Sequence, residues 1–157
     1  MNMIVSTAIV GTATPAVAAE PDPIFEAIEE HKRAYAAVNV EVVKTDEWEA
    51  LIPKEKRKTF RVDEEVFETD DPRWLAHRRA LHALFEAESD AECDLASIVP
   101  TTPAGVCALL KYGAEVEEHG CAWLDLCEDE NDKRARSWYY FVNRNIVECL
   151  EGLAGGA

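Results

Sequence analysis

Three prolines constrain the fold of this chain most, because each of them follows a residue that can cap a helix. The pairs are Asp22-Pro23, Asp71-Pro72 and Thr102-Pro103. An Asp or Thr side chain accepts a hydrogen bond from the free N–H groups at the start of a helix. Proline suits the first helical position because its φ is already helical and no N–H is needed there. The sequence therefore predicts that helices begin at residues 23, 72 and 103.

The spacing of apolar residues predicts that the first two helices are long. After Pro23, apolar or ring-bearing residues recur in alternating steps of four and three, which is typical of a helix packed along another helix: Ile24, Ile28, His31, Tyr35, Val38 and Val42. This helix is predicted over about 23–51. The second is predicted from Pro72 to Ile98, with one apolar side: Trp74, Leu81, Leu84, Phe85, Ala91, Leu95 and Ile98. Two helices of similar length predict an antiparallel hairpin.

Two shorter helices are predicted to follow. The third begins after Thr102 and ends near Gly120, with an apolar stripe of Val106, Leu109, Leu110 and Val116. The segment 121–136 is predicted to be a loop. Ser137 is predicted to cap the fourth helix, whose stripe contains Trp138, Phe141, Val142, Ile146, Cys149, Leu150 and Leu153. The predicted fold class is all-α, with two shorter helices packed on the hairpin in one domain over 20–153 and a flexible tail over 154–157.

The charge balance argues against a nucleic-acid partner. The 157 residues carry 31 acids and 16 bases, a formal net charge of -15, which repels a phosphate backbone. A basic run over 54–61 is followed directly by an acidic run over 63–71, so the connection between the long helices is interpreted as solvated and locally neutral. The carboxylates of the second helix are expected mostly on its solvated side: Glu86, Glu88, Asp90, Glu92 and Asp94.

Residues 1–19 leave two interpretations open. The segment has no charged side chain and contains Ala16-Val17-Ala18, the small-x-small form of a signal-peptidase site, so cleavage near Ala18 would give a periplasmic or secreted protein. It also lacks the basic start of a signal peptide, and Ser, Thr and Gly interrupt its apolar stretch, so the alternative is an uncleaved tail. The same interruptions argue against a membrane span.

The five cysteines favour the cytoplasm. They are odd in number and contain no C-x-x-C pair, so neither a disulfide framework nor a zinc site is predicted. They are expected to be buried free thiols. In an oxidising compartment an odd number of thiols would risk incorrect disulfide pairing, which favours the cytoplasm.

The sequence contains no catalytic motif with a known mechanism, and no catalytic, cofactor-binding or metal-ligating residue is predicted. Di-metal helical bundles use Glu-x-x-His pairs. In this chain no Glu stands three residues before any of the four histidines, which are His31, His77, His82 and His119. His31 lies on the predicted seam of the first helix, where the expectation is a partly buried ring hydrogen-bonded to a carboxylate or carbonyl.

Three segments of the sequence resemble segments of other proteins. They are residues 22–35 (DPIFEAIEEHKRAY), 100–112 (PTTPAGVCALLKY) and 137–146 (SWYYFVNRNI). In this order, after an Ala/Val-rich leader, they resemble a group of short, uncharacterised alphaproteobacterial helical proteins. The resemblance covers most of the chain after residue 20 and implies no activity, cofactor or site residue. Some members of that group look like passengers of mobile or prophage DNA.

Two hypotheses of function remain. The first is a non-catalytic accessory protein that presents acidic helix faces to a protein partner, and the absence of any catalytic motif favours it. The second is a small metal-binding or enzymatic bundle with a His/Glu site that forms only in the folded chain.

Overall fold

The computed structural model describes residues 20–126 and 134–155. The fold is all-α, as the sequence predicts. Four α-helices are present in this part of the chain: α1 (Pro23–Leu51), α2 (Pro72–Ser97), α3 (Pro103–Glu118) and α4 (Trp138–Gly155). A short 3-10 helix, Lys54–Lys56, lies in the connection between α1 and α2. Three parts of the sequence-based predictions lie outside the described residues: the segment 1–19 with both of its interpretations, Cys127, and the last two residues of the predicted C-terminal tail.

All three proline-based helix starts are confirmed. The side chains of Asp22, Asp71 and Thr102 accept hydrogen bonds from backbone N–H groups in the first turns of α1, α2 and α3. The predicted end of α3 is confirmed as well, because Gly120 follows this helix with φ 80°, a conformation that costs glycine little.

The helices α1 and α2 form an antiparallel hairpin. The start of α1 packs against the end of α2, where Ile24 and Leu95 are fully buried in one core. The far end of α1 meets the start of α2 through a hydrogen bond between Thr45 and His77. The helix α3 runs beside α1, because Thr102 bonds to Asp22 and, ten residues further on, the Tyr112 hydroxyl bonds to His31.

The helix α4 lies along the last turns of α2 and completes the core. Asn145 is buried and donates from Nδ2 to the carbonyl oxygens of Ala96 (2.8 Å) and Ile98 (3.2 Å). These bonds satisfy carbonyl groups at the C-terminal end of α2 that have no partner within the helix. Trp138, 1% exposed, stacks on Trp123 with ring centroids 3.9 Å apart, so α4 and the preceding segment share one aromatic core.

Two predicted loops contain more structure than the sequence suggests. Asp125–Leu126 (β1), inside the predicted loop 121–136, pairs antiparallel with Arg136–Ser137 (β2) at the end of that loop, with Asp125 opposite Ser137. The connection between α1 and α2 is also anchored, and not simply solvated. Its buried Asp70 accepts a 2.6 Å bond from the N–H of buried Thr59, whose carbonyl accepts from the Trp74 indole.

Several predicted core residues lie on the surface instead. They fall on the edges of the predicted stripes and are each 41–50% exposed: Val42, Phe85, Leu110, Leu150 and Leu153. A small bundle has too few neighbouring helices to cover a wide apolar face, so the flanking positions of each stripe stay in contact with water.

A close approach of α3 to the start of α1 predicts a large difference between two glycine substitutions. A Cβ at Gly105 would overlap Asp22 Oδ2 and would lie 2.8 Å from Ile24 Cγ2, whereas a Cβ at Gly113 would meet nothing nearer than 3.4 Å. We expect Gly105→Ala to lower the free energy of unfolding by about 2–3 kcal/mol, because α3 must move away from α1. Chemical denaturation measures this change.

Gly113→Ala is the matched control on the same helix. Its added methyl makes ordinary contacts with Trp138 and Tyr139, and alanine gains up to about 1 kcal/mol of helix propensity over glycine. We expect a neutral or slightly stabilising effect. Equal losses for the two variants would contradict the close approach at Gly105.

Candidate functional sites

The buried histidine of α2 has a partner on both ring nitrogens. His77 is 4% exposed, its Nδ1 lies 2.7 Å from Glu41 Oε1, and its Nε2 lies 3.0 Å from the Thr45 hydroxyl. Because a carboxylate only accepts, Nδ1 is the donor to Glu41. The ring lies near Trp48 and Trp74, with centroids 6.4 and 5.7 Å away. This histidine joins α1 to α2 and has no nitrogen free for a ligand.

The buried histidine of α1 has a partner on one nitrogen alone. His31 is 2% exposed, and its Nδ1 lies 2.7 Å from the Tyr112 hydroxyl. Its Nε2 is buried and makes no hydrogen bond. Burial lowers the pKa of His31, which favours the neutral ring. The hydrogen bond expected from the sequence is present, but the partner is a tyrosine of α3, and one buried nitrogen remains unsatisfied.

Two carboxylates of α2 face this free nitrogen. Glu88 Oε1 lies 3.8 Å from His31 Nε2, too far for a hydrogen bond. Glu92 completes a group whose three ligand atoms lie within 4.8 Å of one another. We call these three residues, His31, Glu88 and Glu92, the His31 site.

The sequence-based placement of these carboxylates is wrong. Glu92 is 3% exposed and the Glu88 side chain is 20% exposed, whereas both were expected mostly on the solvated side of α2. A signal was available, because Leu81, Glu88 and Leu95 are spaced seven apart and the two leucines are buried. Residues at this spacing share one side of a helix. A Glu-x-x-His pattern relates residues of a single helix, so it does not contain a pair of Glu on α2 facing a His on α1.

Burial of these carboxylates disfavours their charged forms. It raises the pKa of Glu92 to about 7, with a smaller opposing effect from the backbone N–H of Leu124, which donates to Oε1. Burial also raises the pKa of Glu88. Among the described residues, neither carboxylate forms an ion pair with a lysine or arginine, so their charged forms have no cationic side chain beside them there.

The two remaining histidines are at the surface. His82 is partly exposed and lies 3.5 Å from Glu86 on the same face of α2. The Nδ1 of His119 donates to the carbonyl oxygen of Glu115 at 2.6 Å, as expected for a histidine at the C-terminal end of a helix. Neither belongs to the His31 site.

The cysteines are less buried than predicted. Cys149 is buried and Cys121 is intermediate, but Cys93 and Cys107 are exposed, so the prediction of buried thiols is wrong for these two. Cys121 Sγ lies 2.8 Å from the Tyr35 hydroxyl, which joins the segment after α3 to α1.

An apolar stripe follows the outward side of α1, away from the hairpin contact. Val40, Val43 and Leu51 are 63%, 66% and 67% exposed, and together with exposed Glu47 they recur at steps of three and four. Residues at this spacing lie on one face of a helix. We call Val40, Val43, Glu47 and Leu51 the outer stripe.

The surroundings of the outer stripe are acidic. Asp46 and Glu49 flank Glu47 and are exposed, and the last turn of α1 contains no basic residue. The negative end of the helix dipole therefore adds to the carboxylates. Two bases lie nearby, and each pairs with a carboxylate. Arg57 pairs with Glu49 at 2.8 Å, and Lys44, one turn after Val40, pairs with Glu41 at 2.7 Å.

Comparison with protein-family models, with curated proteins and with solved structures finds no match. Among the described residues, no helix is both long enough and apolar enough to cross a membrane.

Proposed function

We propose that this chain is a non-catalytic accessory protein that binds a basic, amphipathic helix of a protein partner along the outer stripe of α1. The observation that carries the proposal is the alignment of three aliphatic side chains, each about two-thirds exposed, on one face of a 29-residue helix. Single exposed aliphatic residues are normal on a protein surface, but an aligned set of them is typical of an interaction site.

The identity of the side chains supports this proposal. Valine is a poorer helix former than alanine or lysine, so Val40 and Val43 do not improve α1 as a solvent-exposed helix. Neither is needed for the hairpin, because the core-facing side of this helix is formed by other residues: Ile24, Ile28, His31 and Val38. A partner helix that covers the outer stripe gives these valines a role.

The charge of the molecule selects the kind of partner. With a net charge of -15 and exposed carboxylates around the stripe, an acidic helix would be repelled and a basic one attracted. The expected binding mode is an amphipathic helix whose apolar face covers the valines while its lysines and arginines reach the carboxylates.

The test uses a synthetic helical peptide with leucines on one face and lysines on the other, added to isotope-labelled protein. We expect chemical-shift changes confined to the second half of α1 and an affinity that falls as salt rises. The paired substitution Val40→Ser/Val43→Ser should weaken binding by about tenfold or more, since it removes two apolar side chains from the interface.

The control is Val147→Ser on α4, because Val147 is also exposed (53%) but lies outside the outer stripe. It should leave the affinity unchanged, and a peptide with glutamates in place of the lysines should not bind. Equal weakening by both sets of substitutions, or shifts spread over the whole acidic surface, would reject the outer stripe as the docking site. We also expect no binding to DNA near physiological ionic strength.

A further inference from the structure

We propose that the His31 site binds one divalent first-row transition-metal ion, with His31 Nε2 and the carboxylates of Glu88 and Glu92 as its ligands. The three ligand atoms lie within 4.8 Å of one another, on two helices that already pack together. Zinc ligands lie about 2.0–2.2 Å from the ion, so ligand atoms on one ion are about 3–3.5 Å apart. Small side-chain rotations of the two glutamates are enough to reach that spacing.

The unsatisfied nitrogen is the observation that distinguishes this cluster from an ordinary acidic patch. A buried donor or acceptor without a partner is rare in proteins and unfavourable. His31 is 2% exposed, and Nε2 is among the few buried side-chain nitrogen or oxygen atoms of the described residues that have no partner. His77 is similarly buried at the other end of the hairpin, and both of its ring nitrogens have hydrogen-bond partners. This difference favours a role for Nε2 of His31 in binding a ligand from outside the chain.

The charge of the site selects a cation. Two carboxylates lie beside a buried imidazole, and no described basic side chain neutralises them. Buried charges in proteins are normally paired or bound to metal ions. A divalent ion would neutralise the charge of both carboxylates and accept the lone pair of Nε2.

The donor set selects the kind of ion. One imidazole nitrogen and two carboxylate oxygens suit zinc, manganese or iron(II). Calcium and magnesium prefer oxygen ligands alone, and copper(I) prefers sulfur. No thiol belongs to the site.

The surroundings hold two of the three ligands in position. The Tyr112 hydroxyl bonds to Nδ1 of His31, so Nε2 points toward α2. The backbone N–H of Leu124 binds Glu92 Oε1. Partners of this kind orient metal ligands, and their loss typically weakens metal affinity about 10-fold to 100-fold. Tyr112 is therefore a positioning residue of the site.

The test measures binding of zinc and of manganese to the chelator-treated full chain, by calorimetry and by metal analysis after dialysis. We expect one ion per chain. Glu88→Gln and Glu92→Gln should each weaken the affinity by at least about 100-fold, since the loss of a ligand exceeds the loss of an outer partner. Tyr112→Phe should weaken it less, by about 10-fold to 100-fold.

A matched control lies on the same helix. His82 and Glu86 form a surface pair 3.5 Å apart on α2, so His82→Gln and Glu86→Gln remove the same chemical groups outside the His31 site. They should leave the affinity unchanged. No binding of either metal to the unmodified chain would overturn the proposal, as would a loss of affinity in the control variants equal to that in the ligand variants.

Thermal unfolding separates loss of the site from loss of the fold. An ion that binds only the folded chain raises the midpoint of unfolding with increasing ion concentration. Glu92→Gln removes a buried carboxylate without changing the side-chain shape, so the metal-free variant should unfold at the same or a higher temperature than the unmodified protein. Its midpoint should no longer respond to zinc. A response to zinc equal to that of the unmodified chain would refute the assignment of Glu92.

Discussion

Replacing Asp22 by alanine is expected to lower the free energy of unfolding by about 3–5 kcal/mol, far more than the loss of an ordinary helix cap. Asp22 is 5% exposed. Its Oδ1 accepts from the N–H of Ile24, and its Oδ2 accepts from the N–H groups of Thr101 and Thr102 and from the Thr102 hydroxyl. A helix cap contributes typically about 1 kcal/mol. Each additional buried donor left without a partner costs about 1–3 kcal/mol.

Asp71→Ala provides the control, because Asp71 also caps a helix and also precedes a proline. Its carboxylate is more exposed and bonds only to Arg73, through the backbone N–H and the guanidinium. We expect a loss of about 1 kcal/mol, since a solvated cap and an exposed ion pair contribute little. Comparable losses in the two variants, measured by urea denaturation, would show that Asp22 does not join α1 to α3.

The same carboxylate predicts a dependence of stability on pH. Burial acts to raise the pKa of Asp22, but the hydrogen bonds from Thr102, Ile24 and Thr101 outweigh it and hold the pKa below its usual value of 3.8. An acid whose pKa is lower in the folded state stabilises the fold above its unfolded-state pKa, and this contribution is lost as the pH falls through the folded-state value. The stability difference between the protein and Asp22→Asn should therefore be constant above about pH 5 and shrink at lower pH.

Asp22 illustrates how much of the fold the sequence predicts. The dipeptide Asp22-Pro23 predicts the start of α1 correctly, because an N-cap interacts with N–H groups only two residues away. Asp22 also accepts hydrogen bonds from Thr101 and Thr102, which lie 79 and 80 positions later in the chain. No local pattern contains that contact. Gly105 and Gly113 lie inside the predicted third helix, and a glycine there suggests a close approach to a neighbouring helix without identifying the partner.

The His31 site shows the same limit for function. Residue type and helical spacing place His31 on the seam of α1, and it is buried there. Whether both ring nitrogens of a buried histidine have hydrogen-bond partners depends on which side chains of the facing helix lie opposite the ring. His77 meets Glu41 and Thr45 of α1 across the hairpin, whereas His31 meets two glutamates that do not reach its Nε2. The register between α1 and α2 decides this difference, and only the folded chain fixes that register.

The second large effect is expected at Leu81. This residue lies four positions after His77 and seven before Glu88, which both meet α1, so its spacing places it on the same face of α2. Leu81 is 4% exposed, as the apolar pattern of α2 predicts. Leu81→Asp would place a carboxylate in this buried position. The charge would lose its hydration there, because apolar neighbours cannot replace its hydrogen bonds to water. Uncompensated buried charges cost about 3–5 kcal/mol, and the loss of leucine packing adds to this. We expect the variant to be largely unfolded or to lose most of its helical circular dichroism at much lower denaturant.

Phe85→Asp separates burial from the general effect of adding charge to an acidic chain. Phe85 lies one turn further along α2 and is 45% exposed, so an aspartate there remains hydrated and should cost about 1 kcal/mol or less. Both variants raise the negative charge of the chain by one, and only Leu81→Asp places that charge between the long helices. If Leu81→Asp costs less than about 1 kcal/mol, α1 and α2 do not pack through Leu81, and the hairpin that brings His31 opposite Glu88 and Glu92 would be wrong.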